Sequence, residues 1–231
     1  MAQLSGRHAL VTGGGRGIGR AVAAALSEAG ASVTVLGRQK AALDDAIAAR
    51  HAAGAVVADV TDPGAVEAGV KAAEGARGPF DILVANAGGV TTAPFGKTDP
   101  AQFRKLFDLN VMGIVHVTRA VLAGMVARKF GRIVAVASTA GLKGYPYVSA
   151  YCASKHAVVG LVRSLAVETA KTGVTVNAVC PGYTDTDLVR ESVALVTGKT
   201  GKSHDEVVAQ YVKDVPMARL IRPEEVAAAV V

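Results

Sequence analysis

The chain has no tryptophan, and aromatic residues fill only 4% of its 231 positions. Surfaces that stack nucleic-acid bases need aromatic side chains beside clustered cations. Here Lys and Arg are dispersed, and the net charge of +6 suits anionic small ligands such as cofactor phosphates or coenzyme A. Nucleic acid is not an expected partner. Cysteine is equally scarce: Cys152 and Cys180 form no zinc spacing and no disulfide framework, and both read as buried thiols. No ligand cluster points to a metal, and no His-Asp pairing supports a nucleophilic serine. No apolar run reaches membrane-spanning length, and the stretch Met1–Ser5 lacks the apolar core of a signal peptide. The expectation is a cytoplasmic chain with no membrane partner. Repeats, linkers and low-complexity stretches are missing too, which predicts a single domain over 1–231.

What remains is rich in Ala, Val and Gly, with 51% hydrophobic and only 19% charged residues. That composition supplies a large core and suits close packing of helices on a sheet. The pattern alternates strand and helix throughout. His8-Ala9-Leu10-Val11 is an apolar run stopped by Gly13-Gly14-Gly15, and a helical period follows from Ile18 to Ala29. Glycines at 13, 17 and 19 permit a tight turn and close approach of a pyrophosphate to the helix N-terminus. The second strand, Ser32–Leu36, ends at Gly37-Arg38, where an NAD-selective site places an acid on the ribose 2′-hydroxyl. Arg38, with Arg16 in the glycine loop, offers a 2′-phosphate a guanidinium instead, so NADP(H) is favoured over NAD(H).

Further strands are predicted at Ala55–Ala58, Asp81–Ala85, Arg132–Ala137 and Val174–Val179. They deliver Asp59-Val60, Asn86-Ala87-Gly88, Ser138 and Cys180-Pro181-Gly182 at their carboxyl ends. Asp59 reads either as an acceptor for an adenine amino group or as a loop cap. Asp62-Pro63 opens a helix as N-cap and first residue. A long helix is predicted from Pro100 to about Arg128, with Asn110 inside it, where a buried amide would need partners. This alternation predicts an α/β fold: a Rossmann-type, doubly wound parallel sheet in three layers.

Tyr151 and Lys155 stand one helical turn apart in the next helix and share a face. A nearby ammonium favours the phenolate, which makes the pair an acid-base group for an alcohol or carbonyl oxygen.

Taken together, Thr12-Gly13-x-x-x-Gly17-x-Gly19, Asn86-Ala87-Gly88, Asn110, Ser138, Tyr151-x-x-x-Lys155 and Pro181-Gly182 closely resemble the motifs of the classical short-chain dehydrogenase/reductase family. The resemblance covers essentially the whole chain. It implies that Tyr151 is the acid-base residue, that Ser138 polarises the substrate oxygen, and that Lys155 lowers the Tyr151 pKa and holds the nicotinamide ribose. Asn110 would anchor a water that extends the proton relay. Gly13, Arg16, Gly17, Ile18 and Gly19 would cradle the pyrophosphate, Arg38 the 2′-phosphate, and Asp59 and Val60 the adenine. Asn86 and Gly88 would line the adenosine side, Pro181 and Gly182 would begin the loop over the nicotinamide, and Thr184 or Thr186 would meet its carboxamide.

Residues from about 184 to 220 are expected to form a substrate lid, with a polar loop at Gly198–Ser203 and a short amphipathic helix from Glu206 to Val215. Lys199 and Lys202 suit the phosphates of coenzyme A or phosphopantetheine. The stretches Ser138–Gly144 and Ser154–Gly160 are most similar to ketoreductases of 3-oxoacyl thioesters or polyketides. The resemblance thus implies a 3-oxoacyl-thioester reductase (equivalently a 3-hydroxyacyl dehydrogenase) on a CoA or acyl-carrier thioester. A dehydrogenase of a free secondary alcohol, polyol or aromatic carbinol is the rival, and a non-catalytic cofactor sensor a third reading. The family's homotetramer or homodimer is expected, and the sequence reaches Val231 with the family's final strand apparently missing.

Overall fold

The computed structural model describes residues 3–231. The first two residues of the Met1–Ser5 stretch lie outside the described residues. Six parallel strands form one sheet: β1 (His8–Thr12), β2 (Ser32–Gly37), β3 (Gly54–Val57), β4 (Ile82–Ala85), β5 (Gly131–Val136) and β6 (Val174–Val179), in the order β3-β2-β1-β4-β5-β6. Growth of the sheet reverses between β1 and β4, and ligands of such sheets settle outside the strand carboxyl ends at that reversal.

Alternation along each strand divides the core between two faces. Leu10 faces a cluster with Val66 and Val70 of α3 (Pro63–Arg77), Val117 and Met125 of α5 (Gly113–Ala127) and Val158 of α6 (Ser149–Thr169). Its neighbours Ala9 and Val11 face the other way, toward Val22 and Leu26 of α1 (Gly17–Glu28), Leu43 of α2 (Lys40–Ala48) and Ala227 of α9 (Pro223–Val230). Helices on both faces of a parallel sheet make the α/β/α sandwich. Each buried Val or Leu stabilises it by about 1.5–3 kcal/mol. At the sheet's edge, β6 pairs only with β5 among the described residues, and α9 packs against α1.

The predicted helix from Pro100 is interrupted. α4 (Pro100–Phe107), begun by the Asp99 capping box, passes into one π turn over Asp108–Met112 before α5. Asn110 sits in that turn, fully buried, so it does not occupy a regular helical position. The joined helix Pro100–Ala127 is also 28 residues long and holds an 18-residue window with a mean hydropathy of 1.5. By length and composition it is long and apolar enough to cross a membrane, a correction to the expectation that no run reaches that length. Here Ile114, Val117, Val121 and Met125 lie buried against the sheet.

The region after β6 is more helical than expected. α7 (Asp187–Thr200) continues through Gly198 and Lys199 and ends where Gly201 turns left-handed at φ +69°. Only 201–203 lie outside a helix there, because one glycine inside a helix costs only about 1 kcal/mol. α8 (His204–Val212) starts earlier than predicted: Ser203 Oγ accepts from Glu206 N at 3.3 Å while Glu206 Oε2 accepts from Ser203 N at 2.7 Å.

Candidate active site

The glycine loop is tied to the end of β4. Thr12 Oγ1 accepts from Asn86 N and Ala87 N, each at 3.0 Å, and Asn86 Nδ2 donates to the Thr12 carbonyl at 3.0 Å. Gly13 and Gly17 are left-handed, at φ +65° and +52°, which lets the loop turn sharply into α1. Arg16 stands at the N-cap without a side-chain cap, so the first amides of α1 are left for a ligand. The structure does not bring Gly19 to the cleft surface with the other loop residues. It is buried beneath the loop and does not border the cleft, and a Cβ there would overlap the Gly13 carbonyl oxygen and the Asn86 amide.

The expected adenosine corner carries both signs of charge. Arg38 and Asp59 pair at 3.6 Å, with side chains 67% and 37% exposed. Asp59 Oδ1 is already used, accepting from Thr61 N at 3.0 Å and Thr61 Oγ1 at 2.9 Å. These bonds, led by the Thr61 amide, lower its pKa and leave Oδ2 facing the guanidinium. The carboxylate thus caps the loop and also faces Arg38. At such exposure the pair contributes at most about 1 kcal/mol to stability.

At the other end of the cleft, Ser138 leaves β5 and Tyr151 and Lys155 project from α6. Burial pushes the Tyr151 phenol above its ordinary pKa, and the Ser138 hydroxyl opposes part of that rise. The hydrogen bond that fixes Ser138 Oγ is the one it accepts from Ala140 N at 3.1 Å. Lys155 Nζ donates to the Val136 carbonyl at 2.8 Å and lies 5.8 Å from the centre of the Tyr151 ring. Burial sets the direction of the Tyr151 shift, and burial also lowers the pKa of Lys155 itself to about 8.

Asn110 lies behind this group and does not border the cleft. Its Oδ1 accepts from Gly89 N at 2.9 Å, while Nδ2 donates to the Gly89 carbonyl and to Ser154 Oγ, each at 3.0 Å. Ser154 Oγ donates in turn to the Tyr151 carbonyl at 2.8 Å. The amide therefore positions the β4 loop and the Tyr151 backbone, and its side chain has no hydrogen left to donate to a water.

One cleft of about 1130 Å³ brings Gly13, Arg16, Gly17 and Ile18 together with Arg38, Asp59 and Val60 at one end. Asn86 and Gly88 lie midway, and Ser138, Tyr151, Lys155, Pro181, Gly182, Thr184 and Thr186 close the other. A family model described as short chain dehydrogenase matches residues 7–196. The chain belongs to the short-chain dehydrogenase family. It is 40% identical to the oxidoreductase UcpA of Escherichia coli strain K12, over 98% of this chain and 86% of that protein. To the acetoacetyl-CoA reductase of Paracoccus denitrificans it is 39% identical, over 96% and 88%. A single-site variant of actinorhodin polyketide ketoreductase, crystallised with NADPH, superposes at a TM-score of 0.93, with 35% identity, covering 100% of this chain and 90% of that one.

This short-chain dehydrogenase is thus an oxidoreductase with a nicotinamide cofactor, and its residues fit that group. The left-handed glycines and uncapped α1 suit a pyrophosphate, and a Cβ at Gly88 would press on Asn110 Oδ1 at 3.0 Å. Both threonines line the cleft, but Thr184 is buried with its hydroxyl on the Gly182 carbonyl at 3.2 Å, whereas the Thr186 methyl faces Gly17. Sequence reasoning missed Thr12 and Ser154, although both lie inside motifs quoted for the family. It also missed Tyr145, Tyr183 and Tyr211, which line the cleft from three separate segments.

Proposed function

We propose that this oxidoreductase reduces a 3-oxoacyl thioester, carried on coenzyme A or an acyl-carrier phosphopantetheine, to the 3-hydroxyacyl product. The observation that carries the reading is the cleft's composition beyond Tyr151. Lys143, Lys199, Lys202 and Lys213 all border it and none is ion-paired among the described residues, against Asp187 and Asp214. Asp187 is itself held by Arg190 at 3.3 Å. A cationic mouth attracts a phosphorylated carrier. The tyrosine-lined wall and a levodione reductase structure, 32% identical at a TM-score of 0.92, favour the rival reading of a free secondary alcohol, polyol or aromatic carbinol.

When bound in this cleft, a nicotinamide cofactor would supply the hydride for the carbonyl carbon. Tyr151, kept protonated by burial, gives its proton to the carbonyl oxygen. Ser138 donates a hydrogen bond to the same oxygen, and the Lys155 ammonium stabilises the phenolate left behind. Asn110 and Ser154 hold the backbone on which Tyr151 is mounted. The segment 184–220 acts as the substrate lid. NADP(H) is the proposed cofactor, supported by Arg16 and Arg38 in the cleft, with Asp59 as a competitor for the second guanidinium. A homotetramer or homodimer is supported by apolar side chains left exposed on helix surfaces, Val126 on α5 and Val167 on α6.

The test is oxidation of NADPH and NADH with acetoacetyl-CoA. The proposal expects turnover that is faster with NADPH. Oxidation of free alcohols with no turnover of the thioester would transfer the assignment to the rival class.

A further inference from the structure

All five tyrosines of the chain, Tyr145, Tyr147, Tyr151, Tyr183 and Tyr211, border the cleft. Three of them lock together. Tyr211 of α8 stacks on Tyr183 with ring centres 4.5 Å apart and planes 21° apart, and Tyr145 meets Tyr183 edge-on at 6.0 Å. Stacked and edge-on contacts of this kind fix a ring's orientation as well as burying its faces.

Two of the three hydroxyls are occupied. Tyr145 Oη bonds Thr139 Oγ1 at 2.9 Å, and Tyr211 Oη bonds Ser192 Oγ at 2.9 Å. Tyr183 Oη makes no hydrogen bond among the described residues. It is not sealed inside either: the buried side-chain atoms without a partner are those of Thr118, Ser149 and Thr197. Its hydroxyl is therefore reachable by solvent, on a residue that borders the cleft. Burial, with the neighbouring phenols of Tyr211 and Tyr145, pushes its pKa up to about 12, and Tyr151 is near enough to contribute. At working pH it is a neutral donor next to the group that protonates the substrate.

We propose that Tyr183 determines substrate specificity by donating a hydrogen bond to a second oxygen of the substrate, the thioester carbonyl one methylene away from the ketone that Tyr151 serves. This assignment rests on the thioester reading. Fixing two oxygens of a β-dicarbonyl compound, one on each phenol, holds the ketone carbon in a single orientation. A monoketone leaves the Tyr183 hydroxyl unmatched, and sites that hydrogen-bond a substrate group discriminate against analogues lacking it.

The experiment compares kcat/KM for acetoacetyl-CoA with that for 2-hexanone at saturating NADPH, in the unmutated enzyme and in Tyr183→Phe. Phe keeps the stack on Tyr211 and removes only the hydroxyl. The ratio of the two kcat/KM values is expected to fall about tenfold, chiefly through KM for the thioester, as for one neutral hydrogen bond. Tyr183→His, with a ring and a donor, is expected to recover part of that ratio. Equal losses on both substrates, an unmoved ratio, or a His variant no better than Phe would each overturn the assignment and leave the thioester reading standing. Failure of the unmutated enzyme to reduce acetoacetyl-CoA at all would remove the thioester reading and the role of Tyr183 with it.

Discussion

Replacing Tyr151 by Phe is expected to lower kcat for carbonyl reduction by about 10²–10⁴-fold, the range over which positioned acids and bases act. Phe keeps the ring and its packing on α6, so NADPH binding should change little. What disappears is the proton. Its neighbours are poor substitutes: the Ser138 hydroxyl is fixed by Ala140 N, the Tyr145 hydroxyl is committed to Thr139, and burial pushes the Tyr183 phenol up to about 12. Lys155 Nζ is bonded to the Val136 carbonyl and lies 5.8 Å from the centre of the Tyr151 ring. The pH profile of the unmutated enzyme carries a matching signature. Burial brings the Lys155 pKa down to about 8, so its positive charge is present below that pH and lost above it. The support it gives the Tyr151 phenolate goes with the charge, and reduction should slow as pH rises through about 8. Steady-state kinetics of Tyr151→Phe, with circular dichroism to verify folding, decides the matter. A variant with near-normal kcat would remove Tyr151 from the chemistry.

Gly19→Ala is expected to weaken NADPH binding by roughly 10–100-fold and to lower the melting temperature. The added methyl would collide with the Gly13 carbonyl oxygen and with Asn86 Nδ2. Neither can retreat cheaply. Gly13 holds a left-handed φ of +65°, and the Asn86 side chain is bonded to the Thr12 carbonyl at 3.0 Å. Overpacking of this kind costs about 1–3 kcal/mol, and each ~1.4 kcal/mol is a factor of about ten in affinity if the strain falls on the bound loop. Gly75→Ala is the control. It lies in α3 with open space around it, and should leave binding unchanged while adding slightly to helix stability. Nucleotide fluorescence titration and thermal melts report both effects. Equal behaviour of the two variants would contradict a close-packed glycine loop.

The sheet was legible because the strands are apolar runs, the first four closed by Gly, Asp or Asn, and such runs have few other uses in a chain this poor in charge. The π turn at Asn110 was not, because its flanks keep a helical period and one extra residue per turn leaves no compositional trace. Tyr151 and Lys155 share a helix face, as their spacing requires, yet spacing says nothing about burial, and burial decided the sign of both pKa shifts. Arg38 and Asp59 meet only because β2 and β3 run parallel and release them at the same end of the sheet. Tyr145, Tyr183 and Tyr211 stand far apart in the sequence and become neighbours only when three segments converge. Contacts set by a strand's end were readable; contacts between side chains from separate segments needed the fold.

The most direct test of hydride transfer at this cleft uses NADPH carrying deuterium at C4 of the nicotinamide, in each of its two C4 epimers, with acetoacetyl-CoA as acceptor. Mass spectrometry of the 3-hydroxybutyryl product should find one deuterium on C3 with one epimer and none with the other. A product formed without deuterium from either epimer, or no product from an enzyme that binds NADPH, would contradict direct transfer between the cofactor and a 3-oxoacyl thioester.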